Sequence, residues 1–252
     1  MAKTKRRCIF CGARADSYEH VFPDWINKLI ETEGVESVRF DVADGAVEQV
    51  SSHPAKHPAS LRAKIVCARC NHGWMSDLET VASGLLGPMM TGQPTVLDMP
   101  QQLLAAAWAV KLAMVGETIQ YRANAFSQDD RDLMREQRRP PLHAHVSIAA
   151  FSLDTPNMTR YTRGLGKVHR NGAPFSDLYV HTIQVLHVIF SVRGTTTFPA
   201  TDNRSLEHIA EPHHFEIPVF PPVEQCRWPP NLVMDEAMFM EYSGGNNLAT
   251  GP

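Results

Sequence analysis

Two pairs of cysteines stand at C-x-x-C spacing in this chain, Cys8/Cys11 and Cys67/Cys70, and a fifth, Cys226, stands alone. Each C-x-x-C turn presents two thiolates on one side of the backbone, and two turns supply the four soft ligands of a tetrahedral zinc ion. Fifty-five residues, 12–66, separate the turns, so an ion held by all four clamps a long insertion rather than a compact ribbon. A closed four-thiolate site has no open position for water and is therefore structural. Binding there contributes on the order of 10 kcal/mol, large beside the stability of an ordinary domain. The opening residues MAKTKRRC are basic with no apolar stretch behind them, which does not read as a secretory signal. A cytoplasmic location is expected, and with it metal binding rather than disulfides. Neither C-x-x-C opens a helix within a βαβ unit, which disfavours a redox pair.

A structural ion does no chemistry, so the residues it gathers matter more. Glu19-His20-Val21-Phe22-Pro23 begins eight residues after Cys11, and Asn71-His72 follows Cys70 directly. Drawing the two turns together brings these segments close, which their separation along the chain alone does not predict.

The ordered set CIFC (Cys8–Cys11), EHVFP (Glu19–Pro23) and CARCN (Cys67–Asn71) resembles the HNH, or ββα-metal, endonucleases of the four-cysteine type. The likeness extends weakly into CNHGWM and AAAWAVKLAM, wording similar to that of bacterial proteins described only as HNH endonucleases. It implies that His20 is the general base, that Glu19 ligates a catalytic metal ion, and that Asn71 is the second ligand. The resemblance further implies hydrolysis of phosphodiester bonds in DNA. The residue types agree with those roles. A neutral imidazole titrates near working pH and can deprotonate a water. A carboxylate with an amide oxygen suits a hard ion such as Mg²⁺, which keeps several waters and neutralises charge building on a phosphate. His72 is a further candidate ligand, and its joining would tilt the site towards Zn²⁺, Ni²⁺ or Mn²⁺. In the family a lysine often lies three residues after the last ligand. Trp74 holds that position here, so transition-state charge must be met from elsewhere.

Two other functions compete. The same zinc-stabilised fold could be a non-catalytic module that holds nucleic acid or a protein. It could also direct the same hydrolysis at RNA. A nuclease endangers its host, which predicts control by a regulatory protein, by a second copy of the chain or by a trigger such as phage infection. The overall charge of −3 gives no general attraction to nucleic acid, so any polyanion site must be a local patch. Residues 1–80 hold 11 basic and 11 acidic side chains, residues 81–140 hold 6 and 6, and residues 141–252 hold 7 and 10. Lys3, Lys5, Arg6 and Arg7 form one local basic cluster, and Arg160, Arg163, Lys167 and Arg170 form another.

The elements that must position these groups follow from pattern. Pro23 suits the first turn of a helix that ends near Gly34. Segments 36–42 and 46–50 alternate around Asp44-Gly45, a hairpin signal. Leu61–Val66 reads as a strand running into the second cysteine turn. A helix is expected from Asn71, with Trp74, Met75, Leu78 and Val81 at helical spacing. Gly87, Pro88, Gly92, Pro94 and Pro100 suggest a boundary, giving an HNH-like module over 1–86 and a second domain over 100–252. Gln101–Thr118 is an apolar helix whose run from Leu103 to Val115 is interrupted only by Lys111. It is too short and too interrupted to span a membrane. Ser127 caps another helix to Arg138. Strands follow over 143–151, 159–165, 178–193 and 214–220, then a proline-rich tail and a helix near 235–242. His143 and His145 share a strand face without implying a metal. The order predicts an α+β protein, a zinc-stapled ββα-metal module followed by helices and a mainly antiparallel sheet.

Overall fold

The structure, a computed structural model, describes residues 6–30, 37–43, 46–53, 62–119, 125–152, 159–170, 173–196 and 212–243. Two short strands near the N-terminus, β1 (Ser17–His20) and β4 (Arg62–Val66), pair antiparallel. Between them in sequence come helix α1 (Asp24–Ile30) and strands β2 (Ser37–Ala43) and β3 (Ala46–His53). After β4, a single helical turn, α2 (Ala68–Cys70), and a wide turn over Asn71–Met75 kinked at Gly73 lead into α3 (Ser76–Met90). Strand β5 (Thr95–Asp98) precedes α4 (Met99–Gly116), and α5 is Gln128–Gln137. The remainder comprises β6 (Ala144–Phe151), β7 (Thr159–Arg170), β8 (Ala173–Val185), β9 (Val188–Thr195), β10 (Ile217–Phe220), β11 (Gln225–Trp228), β12 (Val233–Met234) and α6 (Glu236–Ser243).

The large sheet runs β10-β6-β9-β8-β7-β2-β3, with β12 beside β6. Its pairs are antiparallel except β2 with β7 and β12 with β6. With its helices, the chain is α+β. The expected hairpin forms as β2 and β3, while Asp44 and Gly45 lie outside the described residues. It joins the large sheet through β2 against β7 rather than staying with the N-terminal cysteine turns. The single run expected over 178–193 is two strands, β8 and β9, turned at Leu186-His187. Leu186 adopts a left-handed φ of 51°, a conformation no glycine or asparagine advertised.

Helix starts follow their caps. Ser127 caps α5 by accepting from the Asp130 N–H, and the Asp130 carboxylate accepts from the Ser127 N–H in return. Asp98 and Gln101 do the same for α4, where Pro100 occupies the first turn. Glycine and proline at 87–100 do not end α3 early, because the helix continues through Pro88 to Met90.

Helix α4 is buried on all sides from Ala105 to Gly116, as expected for a helix apolar all round. One side meets α3, and the other meets the sheet, where Trp108 lies 5.3 Å from Phe190. Alternation along β6 sends Val146, Ile148 and Ala150 into this core. Ala149 and Phe151 face the opposite side, under Phe239 and Tyr242 of α6. The main core is continuous from Cys8 through α4 to Trp228. Among the described residues, no helix is long and apolar enough to cross a membrane.

Two carboxylates, half-buried Asp130 and buried Glu216, tie the fold to pH. Burial alone would raise the Asp130 pKa, but hydrogen bonds from His143 (2.9 Å) and Ser127 hold it below its ordinary 3.8. Burial acts the same way on Glu216, and Arg193 at 2.5 Å, with Tyr242 and Ser147, holds it below 4.5. A carboxyl whose folded pKa is depressed contributes stability that is complete above its unfolded pKa. That stability is withdrawn as pH falls towards the folded value. The melting temperature should therefore drop steeply once pH falls below the ordinary 3.8 and 4.5 of these groups. The variant Asp130→Asn should lose part of that slope. Identical slopes in variant and wild type would contradict the account.

Candidate metal centre and adjoining cleft

The first cysteine turn closes on itself. Cys8 N–H donates to Ala13 O at 2.7 Å and Gly12 N–H to Cys8 O at 2.9 Å. Gly12 sits at φ +69°, where any other residue carries a steric cost. The second turn is capped by its own sulfur, since Cys67 Sγ accepts from Cys70 N–H at 3.4 Å. Two links bind the turns together. Ile9 N–H donates to Ile65 O at 2.9 Å, and Ala68 N–H donates to Asp16 Oδ1 at 2.8 Å. Pairing of β1 with β4 completes the clamp.

All four sulfurs lie within 4.8 Å of one another, and Cys11 Sγ is 3.5 Å from Cys67 Sγ. Tetrahedral thiolate ligands about 2.3 Å from zinc stand roughly 3.8 Å apart, so the quartet fits a metal such as zinc. All four are free thiols, three of them buried. Burial pushes the Cys8 and Cys70 thiols up. It acts upward on Cys11 too, but the Ala13 N–H and the neighbouring thiols outweigh it and lower that pKa to about 7. Among the described residues, this is the one grouping of three or more His, Cys, Asp or Glu ligand atoms close enough to hold an ion.

Beside the quartet is a cleft of about 250 Å³. Glu19, His20, Asp24, Asn71, His72 and Glu79 all line it. The four residues singled out in sequence thus meet around one space. His20, at the end of β1, is 28% exposed, and its Nδ1 lies 3.6 Å from Asp24 Oδ1, beyond hydrogen-bond length. Asn71 donates from Nδ2 to Ser17 Oγ and to Tyr18 O, both at 2.8 Å. A carbonyl can only accept, so the amide nitrogen must face Tyr18 and Oδ1 is left for another partner. His72 is exposed.

Glu19 is more committed than its sequence context suggests. It is buried, and its Oε1 accepts from Lys111 Nζ at 2.5 Å. Lys111 projects from the C-terminal half of α4 and also donates to Glu79 Oε1 at 2.8 Å. Glu79 Oε2 accepts from two indoles, Trp25 at 2.6 Å and Trp108 at 2.8 Å. Burial would lower the Lys111 pKa, but Glu79 and Glu19 overcome it and hold the ammonium above its ordinary value. Two carboxylates against one ammonium leave negative charge at the cleft, which favours a cation there. Lys111, Glu79 and Trp108 were not singled out in the sequence. Lys111 did carry a signal, because a lone lysine in a buried apolar helix requires a buried counter-charge.

The other sequence candidates lie elsewhere. His143 is taken by Asp130. In the second basic cluster, Arg160 donates to both oxygens of Glu236 at 2.8 and 2.5 Å. The side chains of Arg163, Lys167 and Arg170, and all of Lys3 and Lys5, lie outside the described residues. Trp74 packs edge-on to Phe10, with centroids 4.8 Å apart. No protein-family profile, curated protein or solved structure matches this chain, so a function has to be argued from the chemistry of these residues.

Proposed function

We propose that the cysteine quartet holds structural zinc and that the adjoining cleft is the active site of an HNH-like, metal-dependent endonuclease acting on DNA. One observation carries this reading. Two segments some fifty residues apart place His20, Glu19 and Asn71 around one small cleft beside the cysteines. His20, part-exposed and without a hydrogen-bond partner among the described residues, is the general base that takes a proton from water. Glu19 Oε2 and Asn71 Oδ1 are the oxygens left for a divalent ion such as Mg²⁺. That ion, when bound, supplies Lewis-acid stabilisation of the charge on the phosphate. Lys111 holds Glu19 through Oε1, which leaves Oε2 for the ion.

Nicking of a supercoiled plasmid with Mg²⁺ tests the reading. His20→Ala should slow it by about 10²- to 10⁴-fold, the usual contribution of a general base. The substitution is at a part-exposed side chain, so bound zinc and melting temperature should hold. Equally slow nicking by both proteins would reject the nuclease. RNA in the same assay separates an RNA-directed enzyme.

A second reading has its own support. Glu19 is paired with Lys111, and Asn71 holds β1, as in a zinc-stabilised binding module without catalysis. Tight binding of nucleic acid or a protein with no His20-dependent cleavage would favour it.

A further inference from the structure

On the same pair of short strands lies a second, larger cleft of about 730 Å³. Its walls include Arg6, Arg7, Tyr18, Arg62 and Lys64. The first two come from the basic N-terminal cluster, Tyr18 comes from β1, and β4 adds Arg62 and Lys64 from more than fifty residues further along the chain. Among the described residues, no acidic side chain lines this cleft. Arg7 donates to Gly12 O at 3.0 Å, and Arg6, Arg62 and Lys64 form no ion pair among the described residues. Four cations thus share one concavity on a chain whose overall charge is −3. Gathering like charges without counter-ions is unfavourable unless a polyanion completes the surface.

The aromatic at its centre narrows the ligand. Tyr18 is 54% exposed, unusual for so large a ring on a paired strand. Arg62 Cζ lies 5.3 Å and Lys64 Nζ 5.6 Å from the ring centroid. Cations tracking a backbone with an exposed ring among them are the means by which proteins hold single-stranded nucleic acid. The phosphates meet the cations, and an unpaired base stacks on the ring whatever its identity. A duplex keeps its bases paired and would leave the ring unused.

Position ties this cleft to the first one. Tyr18 is two residues before His20, and Arg62 is the register partner of His20 across the strand pair. We infer that Arg6, Arg7, Arg62, Lys64 and Tyr18 form a binding track for single-stranded nucleic acid that leads a strand past His20. The inference takes from the proposed nuclease only the choice of polyanion.

Fluorescence anisotropy of a labelled single-stranded oligodeoxynucleotide, without added divalent ion, tests the track. Arg62→Ala/Lys64→Ala should weaken binding at least about tenfold and reduce the slope of log K against log salt by about 1.4, two contacts at about 0.7 each. Tyr18→Ala should weaken binding about 5- to 100-fold, with a smaller effect on the salt slope. Wild type should prefer the single strand over the duplex of the same sequence. Zinc content and far-ultraviolet circular dichroism confirm that each variant is folded. Unchanged affinity and slope in the double variant would overturn the track, as would duplex preference with no effect of Tyr18→Ala. Preference for an acidic peptide over the oligonucleotide would overturn it too. The two readings fail differently. Oligonucleotide binding that needs the cations, without His20-dependent nicking, removes the nuclease and keeps the track. His20-dependent cleavage of the single strand that is indifferent to Arg62 and Lys64 removes the track and keeps the nuclease.

Discussion

Replacing Cys67 with serine should release the bound metal and unfold the N-terminal part of the protein. Cys67 supplies one of the four sulfurs placed to hold a metal, caps its own turn and lies 3.5 Å from Cys11. Beyond the sulfurs, that region is held by Phe10, Val21, Phe22, Ile26 and Val66 packed into the main core and by the Glu19–Lys111 pair. Strands β1 and β4 have four and five residues, too short to be stable as an isolated pair. A structural zinc site contributes on the order of 10 kcal/mol, comparable with the stability of an entire domain. Metal analysis should fall from one zinc per chain to much less, and the melting transition should drop or split. A strong chelator should reproduce the effect in the wild type. Cys226→Ser is the control. Cys226 is buried in β11, away from the quartet, and burial alone pushes its pKa up to about 11. That variant should keep its metal. If Cys67→Ser binds zinc and melts like the wild type, the quartet is not a metal site.

The second large effect is expected at Lys111. Lys111→Met preserves much of the side-chain volume but leaves Glu19 and Glu79 facing each other without the ammonium between them. Removing one partner of a buried ion network costs about 3–5 kcal/mol, because the remaining charges stay buried. Urea unfolding should show this loss at neutral pH. Adding Glu79→Gln to Lys111→Met should recover part of it, since one repelling carboxylate is then neutral. No recovery would mean that Lys111 stabilises by packing alone. Activity gives a separate readout. If Lys111 presents Glu19 to a metal ion, the variant should need more Mg²⁺ for nicking even where it remains folded. A stable variant with unaltered Mg²⁺ dependence would confine Lys111 to packing.

Much of the cleft was legible because short-range rules governed it. A C-x-x-C turn declares itself through spacing, and its neighbours are carried wherever the sulfurs go. Glu19, His20, Asn71 and His72 were found by that reasoning, and the structure does gather them. Ser127 announced the start of α5 because a hydroxyl at a helix start satisfies a free N–H. Long-range partners were not legible. Nothing near Glu19 points to Lys111, ninety-two residues later. The burial of Lys111 depends on α4 being enclosed between α3 and the sheet. Likewise, β2 gives no sign that its partner is β7, because a parallel pairing needs no local turn. The β8–β9 turn was hidden because Leu186 is a poor residue for its own backbone angle. Pro88 misled for the opposite reason. Proline usually breaks a helix, but α3 accommodates it within two residues of its end.

The two indoles on Glu79 have an optical consequence. Trp25 and Trp108 share one acceptor oxygen, and their rings lie 5.7 Å apart at an interplanar angle of 49°. Two tryptophans so close and so tilted couple their transitions, and a carboxylate bonded to both makes their spectra sensitive to its position. Near-ultraviolet dichroism and emission colour can therefore follow events at Glu79 without any attached label, with Trp74 and Trp228 as the background to subtract.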